Sequence, residues 1–316
     1  VLNGKNIRLA ETVSSSAGET LSFAHTVTLQ NGENALELYA YNAAGIVESR
    51  RDIQTVMWKG KTEKPNLYVL AAGINRYRDK SLQLRFAVPD AEALSQAFNN
   101  RQNGLYRAVY TMNLFDGDVT KEGLANAFKM LSAQITPDDV FVFYVSGHGT
   151  TYEDGDYYYL PVDFRYTGAE SIPKNGISKT DLLKNLSLIK ADKTLILLDT
   201  CNSGAFLSDT NKRGLTEKTA VDRLTRATGH ATIAASSDTQ SAMEGYNGHG
   251  IFTYILVEGL YGKADSNKDG YITLQELSAY LEYEVPERSY QKWGYEQIPQ
   301  KDLRKQDFPI YTSGNR

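Results

Sequence analysis

The chain has 316 residues, with 34 Lys and Arg against 38 Asp and Glu, which gives a formal net charge of −4. Its 21 Tyr and 11 Phe exclude a mainly disordered chain. No apolar run approaches the roughly 18 residues of a membrane-spanning helix, and the mildly acidic charge argues against a nucleic-acid-binding protein. The single cysteine, Cys201, excludes an intramolecular disulfide and a multi-cysteine zinc site.

Residues 1–60 alternate apolar and polar residues, with turn signals at Asn31-Gly32 and at residues 43–45. This pattern predicts a small antiparallel β-sandwich, and it resembles the immunoglobulin-like (Ig-like) modules that flank many bacterial enzymes. The charged, Pro-containing residues 61–66 are interpreted as a linker. Because the chain begins with Val1 and not with Met, and shows no signal peptide, we expect it to be part of a longer, cytoplasmic protein.

From residue 67 onward, predicted strands alternate with predicted helices. This alternation is typical of an α/β fold in which helices cover both faces of a mostly parallel sheet. Residues 206–229 are polar and charged, and they are interpreted as a long exposed connector between two halves of one sheet. The predicted strands are 67–73, 108–115, 139–149, 194–201 and 231–236, and the predicted helices are 89–100, 120–135, 250–260 and 273–285.

Two predicted strands end in residues that can perform chemistry. Gly147-His148-Gly149 closes one of them, and Cys201 closes another. Functional groups of open α/β sheets collect beyond the carboxyl ends of parallel strands, so we expect the imidazole and the thiol to lie close together if the strands are neighbours. A Cys–His pair makes a strong nucleophile near pH 7. A lone cysteine is more often a buried structural residue, but the two matching strand ends favour the nucleophile.

The motifs "YVSGHG" and "LILLDTCNSG" resemble those of the caspase-like cysteine peptidases, most closely those of the bacterial metacaspase or orthocaspase branch. The resemblance covers about residues 65–312 and implies a caspase-like peptidase domain at residues 67–312. The chain departs from the metacaspase pattern at Asn202, where those enzymes commonly have His.

The resemblance also implies roles for individual residues. His148 would be the general base and Cys201 the nucleophile. The backbone N–H groups of Gly149 and Cys201 would form the oxyanion hole, which usually carries a large share of the rate. This chemistry needs no cofactor.

Asp199 lies two residues before Cys201, so its carboxylate is expected on the face of the strand that carries the thiol. A carboxylate in the primary (S1) pocket selects a basic residue at P1, the residue before the cleaved bond. The resemblance adds Asp90 and Ser146 to this pocket and implies protein or peptide substrates with Arg or Lys at P1. Alternatively, Asp90 is an acid that responds to the dipole of its helix.

The connector carries residues that such a pocket would accept. Caspase-like relatives are often processed between the two halves of the sheet, and the resemblance implies self-cleavage here. The candidate P1 residues are Lys212, Arg213, Lys218, Arg223 and Arg226.

Residues 265–276 fit the spacing of an EF-hand calcium loop. The loop predicts Ca²⁺ binding, and the alternative is a turn that only braces two helices. The predicted ligands are Asp265, Asn267, Asp269, the carbonyl of Tyr271, and Glu276.

Two functions compete with a cysteine endopeptidase. One is a catalytically silent caspase-fold scaffold that acts through partners, and the other is a different cysteine-dependent α/β enzyme. The intact pair of His148 and Cys201 argues against the scaffold. Beyond peptide substrates, the expected partners are an upstream activator and domains that precede Val1.

Overall fold

A computed structural model describes residues 1–2, 25–27, 29, 32–42, 48–59, 63–99, 104–152, 156–200, 230–236, 242–303 and 307–313. Within these ranges the strands are β1 (Gly32–Leu38), β2 (Asp52–Trp58), β3 (Leu67–Gly73), β4 (Val109–Phe115), β5 (Val140–Gly147), β6 (Gly149–Thr151), β7 (Tyr157–Tyr159), β8 (Ile177–Ser178), β9 (Lys193–Thr200), β10 (Ala231–Ala234), β11 (Glu244–Tyr246), β12 (His249–Gly250), β13 (Tyr271–Thr273), β14 (Gln300–Asp302) and β15 (Pro309–Thr312). The helices are α1 (Ala87–Asn99), α2 (Lys121–Ser132), α3 (Ser171–Asn175), α4 (Lys179–Leu186), α5 (Ile251–Glu258) and α6 (Leu274–Trp293).

The largest sheet in the described part of the chain has six strands in the order β14-β10-β9-β5-β3-β4. The five strands β3, β4, β5, β9 and β10 are parallel, and β14 pairs antiparallel with β10 at one edge. The central strands β3 and β5 are buried along their whole length, as expected for a sheet covered on both faces. The predicted α/β fold with a mostly parallel sheet is confirmed.

Alternate residues of the central strands enter two separate cores. Tyr144 and Leu197 pack on the face covered by α1, α5 and α6. Phe143 and Leu198 pack on the opposite face, against α2 and α4. Because side chains alternate along a strand, Asp199 shares the first face with Leu197.

Three helices differ from the sequence prediction. Helices α3 and α4 were not predicted, although Ser178 and Asp181 form a capping box at the start of α4. Helix α6 was predicted to end at residue 285, before Pro286, but it continues to Trp293. Its last turns are held by tertiary contacts that the local pattern does not reveal: Ser289 is buried, and its hydroxyl accepts the backbone N–H of Gln297 at 2.8 Å.

The N-terminal region contains one antiparallel pair, β1 with β2, in the residues described. Gly32, predicted to lie in a turn, instead begins β1 and pairs with Trp58. A bridge between Tyr41 and Glu48 flanks the second predicted turn, which lies outside the described residues. An Ig-like sandwich is not confirmed by this pair of strands and stays a prediction.

No helix within the described residues has the length and apolar character required to cross a membrane.

Candidate active site

The carboxyl ends of β5 and β9 lie side by side. The parallel register pairs Ser146 with Asp199 and Gly147 with Thr200. His148 and Cys201 each follow the second pair in the sequence, so the two strands are neighbours, which is the condition under which the imidazole and the thiol were expected to lie close together. Cys201 itself lies outside the described residues, and the Cys–His dyad stays a prediction.

His148 is held by the loop that follows β3. Its backbone N–H donates to the Tyr77 hydroxyl at 2.8 Å, and its ring Nε2 lies 3.0 Å from the carbonyl oxygen of Leu82. A carbonyl only accepts hydrogen bonds, so Nε2 carries the proton and Nδ1 is the basic nitrogen. Burial lowers the pKa of His148, against a smaller opposite effect of the Leu82 hydrogen bond. The ring is therefore neutral at pH 7, as a general base requires.

Gly147 has no room for a side chain. A Cβ atom at this position would lie 2.8 Å from the Tyr77 hydroxyl and 2.9 Å from the Tyr159 hydroxyl. The Tyr159 hydroxyl also donates to the carbonyl of Ser146 at 3.2 Å. The two tyrosines thus fix the backbone immediately before His148, and only glycine fits between them.

Thr200, the residue before Cys201, is fully buried and held from two further sides. Its hydroxyl lies 2.8 Å from the Tyr157 hydroxyl, and its carbonyl accepts the Ser236 hydroxyl at 3.2 Å. Together with the pairing to β5, these contacts fix the end of β9.

Two buried carboxylates, those of Asp90 on α1 and Asp199 on β9, border one small volume beside the strand ends. Only 2% of Asp90 and 6% of Asp199 is exposed. A carbon added to Gly250 would lie 2.9 Å from Asp90 Oδ2 and 3.2 Å from Asp199 Oδ2. The backbone N–H of Gly250 donates to both oxygens of Asp90, at 3.2 and 3.0 Å. A side chain at Gly250 would therefore crowd both carboxylates, and glycine allows them to converge on this point, which we call the acidic pocket.

Hydroxyl groups complete the pocket around Asp199. Thr253 Oγ1 donates to Asp199 Oδ2 at 2.6 Å, and the Tyr144 hydroxyl donates to the same oxygen at 3.3 Å. Ser146 is buried, and the register of β5 with β9 places it beside Asp199. The structure thus brings together the three residues predicted for the S1 pocket. Asp90 does lie in the first turn of α1, but its carboxylate bonds to β12 rather than only facing the helix dipole.

The carboxyl groups around the pocket are only partly neutralised by their neighbours, and their pKa values are raised. Burial raises the pKa of Asp199 to about 7, and the neighbouring charge of Asp90 adds to this effect. Burial also raises the pKa of Asp90, against the hydrogen bonds from His249 and Gly250. Burial and the neighbouring charge of Asp90 both raise the pKa of Glu244 on β11. A cation placed between these carboxylates would stabilise their charged forms.

Several residues of this site were missed by the sequence analysis. His249 Nδ1 lies 2.7 Å from Asp90 Oδ1, and Glu244 lies close enough to interact with both aspartates. The repeated Gly-His-Gly pattern at residues 248–250 was the one local signal available. Tyr144 and Thr253 carry no such signal, because they join the pocket only through the packing of β5 and α5.

The loop at residues 265–276 is braced by the last strand of the described chain. Strand β13, inside the loop, pairs antiparallel with β15. Asp265 Oδ2 accepts the Gly270 N–H at 3.1 Å and the Ser313 hydroxyl at 2.7 Å, and Glu276 Oε2 accepts the Thr273 N–H at 3.0 Å. These contacts support the bracing role.

The side chains of the same loop are arranged only in part as Ca²⁺ binding requires. Asp265 Oδ1 is buried and has no hydrogen-bond partner among the described residues, which suits a metal ligand. The side chains of Asn267, Asp269 and Glu276 accept N–H groups of the loop. No group of three His, Cys, Asp or Glu side chains in the described ranges is arranged to hold a metal ion. Calcium binding stays a prediction.

The other candidate residues fall into two groups. Gly149 is buried in β6, directly after His148. The self-cleavage candidates Lys212, Arg213, Lys218, Arg223 and Arg226 lie outside the described residues, as does the whole connector.

Comparison with known proteins gives two findings. A family model described as "Caspase domain" matches residues 67–309. The solved structure of protein GSU0716 from Geobacter sulfurreducens is similar, with a TM-score of 0.51 and 16% sequence identity over 78% of this chain and 99% of that chain. At this identity the structural likeness shows the fold alone. No curated protein matches the chain.

We predict that the EF-hand-like loop binds Ca²⁺ weakly, with a Kd of about 10⁻⁴–10⁻³ M. Ca²⁺ should raise the melting temperature of the wild type, and Glu276→Gln should abolish this rise because it removes the bidentate ligand. Glu287→Gln, on the exposed face of α6, is the control and should respond like the wild type. If calorimetry detected no heat of Ca²⁺ binding, and Ca²⁺ left the melting temperature of the wild type unchanged, only the bracing role would remain.

Proposed function

This chain belongs to the caspase-domain family of cysteine peptidases, and we propose that it is an endopeptidase that cleaves after Arg or Lys. The observation that carries the proposal is the pair of buried carboxylates, Asp90 and Asp199, which both approach the Cα of Gly250 beside the end of β9. Two carboxylates that converge in this way attract a cationic side chain and repel an acidic one.

The proposed chemistry begins with proton transfer from the Cys201 thiol to Nδ1 of His148. The thiolate then attacks the carbonyl carbon of the scissile bond, and the resulting oxyanion is stabilised by the N–H groups of Gly149 and Cys201. His148, now an imidazolium, donates its proton to the departing amine, which leaves a thioester on Cys201. A water molecule that loses a proton to His148 hydrolyses the thioester and restores the thiol.

Two features of the described residues support this sequence of steps. The Leu82 carbonyl fixes the proton on Nε2 of His148 and so directs the basic Nδ1 away from that loop. The pairing of Gly147 with Thr200 holds the backbone before His148 level with the backbone before Cys201.

Recognition of P1 follows from the charges in the pocket. An Arg guanidinium or a Lys ammonium group would be stabilised by both aspartates, and its arrival would favour the ionised form of Asp199. An Asp side chain at P1 would instead face two buried carboxylates, and like charges at such distances are strongly unfavourable.

We predict that Cys201→Ala and His148→Ala each lower kcat/KM for an Arg-P1 peptide by at least about 10³-fold, because nucleophile and base act as a unit. The double variant should be no slower than either single variant. His25→Ala, at an exposed histidine far from the sequence motifs, is the control. Fluorogenic peptide assays on proteins of equal melting temperature make the comparison. Near-wild-type activity of Cys201→Ala would contradict the mechanism and favour a silent scaffold.

We predict that Asp199→Asn weakens transition-state binding of Arg-P1 peptides by about 2–5 kcal/mol, because the buried pocket loses one partner of a charge pair. Asp138→Asn, at an exposed aspartate before the opposite end of β5, is the matched control and should leave kcat/KM unchanged. The wild type should not cleave Asp-P1 peptides. Faster cleavage after Asp than after Arg would show that the pocket is wrongly assigned.

We also predict self-cleavage in the connector at residues 206–229. It begins five residues after Cys201 in the sequence, so its Lys and Arg residues are tethered near the nucleophile at high effective concentration. Cleavage after Lys212 or Arg213, beside Gly214, should dominate. Mass spectrometry of incubated wild type should find the fragments, and Cys201→Ala should stay intact. Equal nicking of both proteins would indicate a contaminating protease.

A further inference from the structure

His249 lies between the solvent and the buried carboxylate of Asp90. Its side chain is 29% exposed, whereas that of Asp90 is 3% exposed, and the two are in contact at 2.7 Å. The strand that carries His249 is placed by its pairing with β11, where Tyr246 is the partner of His249. The ring is further packed against Tyr254 of α5, with centroids 6.4 Å apart. The contact with Asp90 is therefore part of a fixed local structure.

The two oxygens of Asp90 face different neighbours. Oδ1 bonds to His249, whereas Oδ2 faces the position where a carbon on Gly250 would also meet Asp199. The carboxylate that would hold the substrate cation is thus already paired with a group that can itself be a cation.

We propose that His249 is a specificity-determining residue of this pocket: its protonated ring neutralises Asp90 while the pocket is empty, and it loses its proton to solvent when a guanidinium or ammonium group binds beside that carboxylate. The inference rests on the proposed function, because it requires a basic P1 side chain between Asp90 and Asp199. Charge balances in this exchange, since one positive group enters as one proton leaves.

The electrostatics of the pair agree with this assignment. The hydrogen bond to Asp90 raises the pKa of His249, against a smaller lowering by burial, and the charge of Asp90 also raises it. Below that pKa the ring is positive and Asp90 is neutralised, so a cationic P1 side chain gains less from binding. Above it the ring is neutral and the Asp90 charge is available to the substrate. The preference for a charged P1 residue should therefore increase as the pH rises.

Other groups around the pocket must be separated from His249 in any test. Asp199 also titrates, with its pKa raised to about 7 by burial and by the charge of Asp90, and its ionisation likewise increases the preference for a cation. A pH dependence of the wild type alone therefore does not identify His249, and a variant of this residue is needed. The charged and titratable groups that surround the pair are Asp199 on β9, Glu244 on β11, Tyr144 on β5, Tyr254 on α5 and Arg85 before α1.

The test compares two fluorogenic peptides that differ only at P1, one with Arg and one with citrulline, its neutral isostere. Because both peptides use the same His148 and Cys201, the ratio of their kcat/KM values cancels the titration of the dyad. In the wild type this ratio should rise severalfold as the pH is raised from 6 to 8.5, because the charge of Asp90 becomes available to the Arg side chain once the His249 ring loses its proton. His249→Gln, which keeps a hydrogen-bond donor but no titratable charge, should have a severalfold higher ratio than the wild type at pH 6 and a similar ratio at pH 8.5.

His25→Gln is the control, and its profile should match that of the wild type. Wild-type and His249→Gln profiles that run parallel across the pH range would overturn the proposal, and so would a wild-type ratio that does not change with pH. His249→Asn gives the same comparison if His249→Gln does not fold. A failure of the proposed function would look different, because the wild type would then show no preference for Arg over citrulline at any pH.

Discussion

The parallel pairing of β5 with β9 places the strand-end residues of the candidate site. This register sets Ser146 beside Asp199 and Gly147 beside Thr200, so the residues that precede His148 and Cys201 reach the same edge of the sheet as Asp199. A shift of one residue would turn Asp199 to the opposite face and remove it from the pocket. Because β3 and β5 are buried on both faces, such a shift would also exchange the side chains that fill the two cores and disrupt their packing.

One loop, residues 74–86, connects His148 with the acidic pocket. Its start is anchored by the Asp116 carboxylate, which accepts the N–H groups of Asn75 and Arg76 at 2.8 and 2.7 Å. Further along, the loop supplies the Leu82 carbonyl to His148, and Arg85 lies close enough to Glu244 to offset part of the rise in pKa that burial causes there. Under the proposed function, a disturbance of this loop would therefore affect both the general base and substrate recognition.

The pocket combines burial with incomplete neutralisation. Asp90 and Asp199 are supplied with hydrogen bonds from Gly250, Thr253 and Tyr144, which keep both carboxylates ordered. Burial raises the pKa of Asp199 to about 7, and the charge of Asp90, which these hydrogen bonds do not cancel, adds to the effect. His249 contacts Asp90 directly and can supply a positive charge there when it is protonated. The arrangement is suited to a cationic ligand, because the positive charge would offset the repulsion between the carboxylates of Asp90 and Asp199.

The sequence by itself determined the order of the five parallel strands β3, β4, β5, β9 and β10 and of the helices α1, α2, α5 and α6, since apolar strands and amphipathic helices follow from local patterns. It also located His148 and Cys201 as candidates, because each closes an apolar strand. It could not determine that α6 continues past Pro286, where contacts of Ser289 and Gln297 outweigh the local signal. Only the tertiary structure decided that His249 and Gly250 meet Asp90 across 159 and 160 residues of chain, and that Tyr144 and Thr253 reach Asp199. These contacts depend on which faces of β5, α1 and α5 pack together, and packing between distant segments leaves no periodic trace in the sequence.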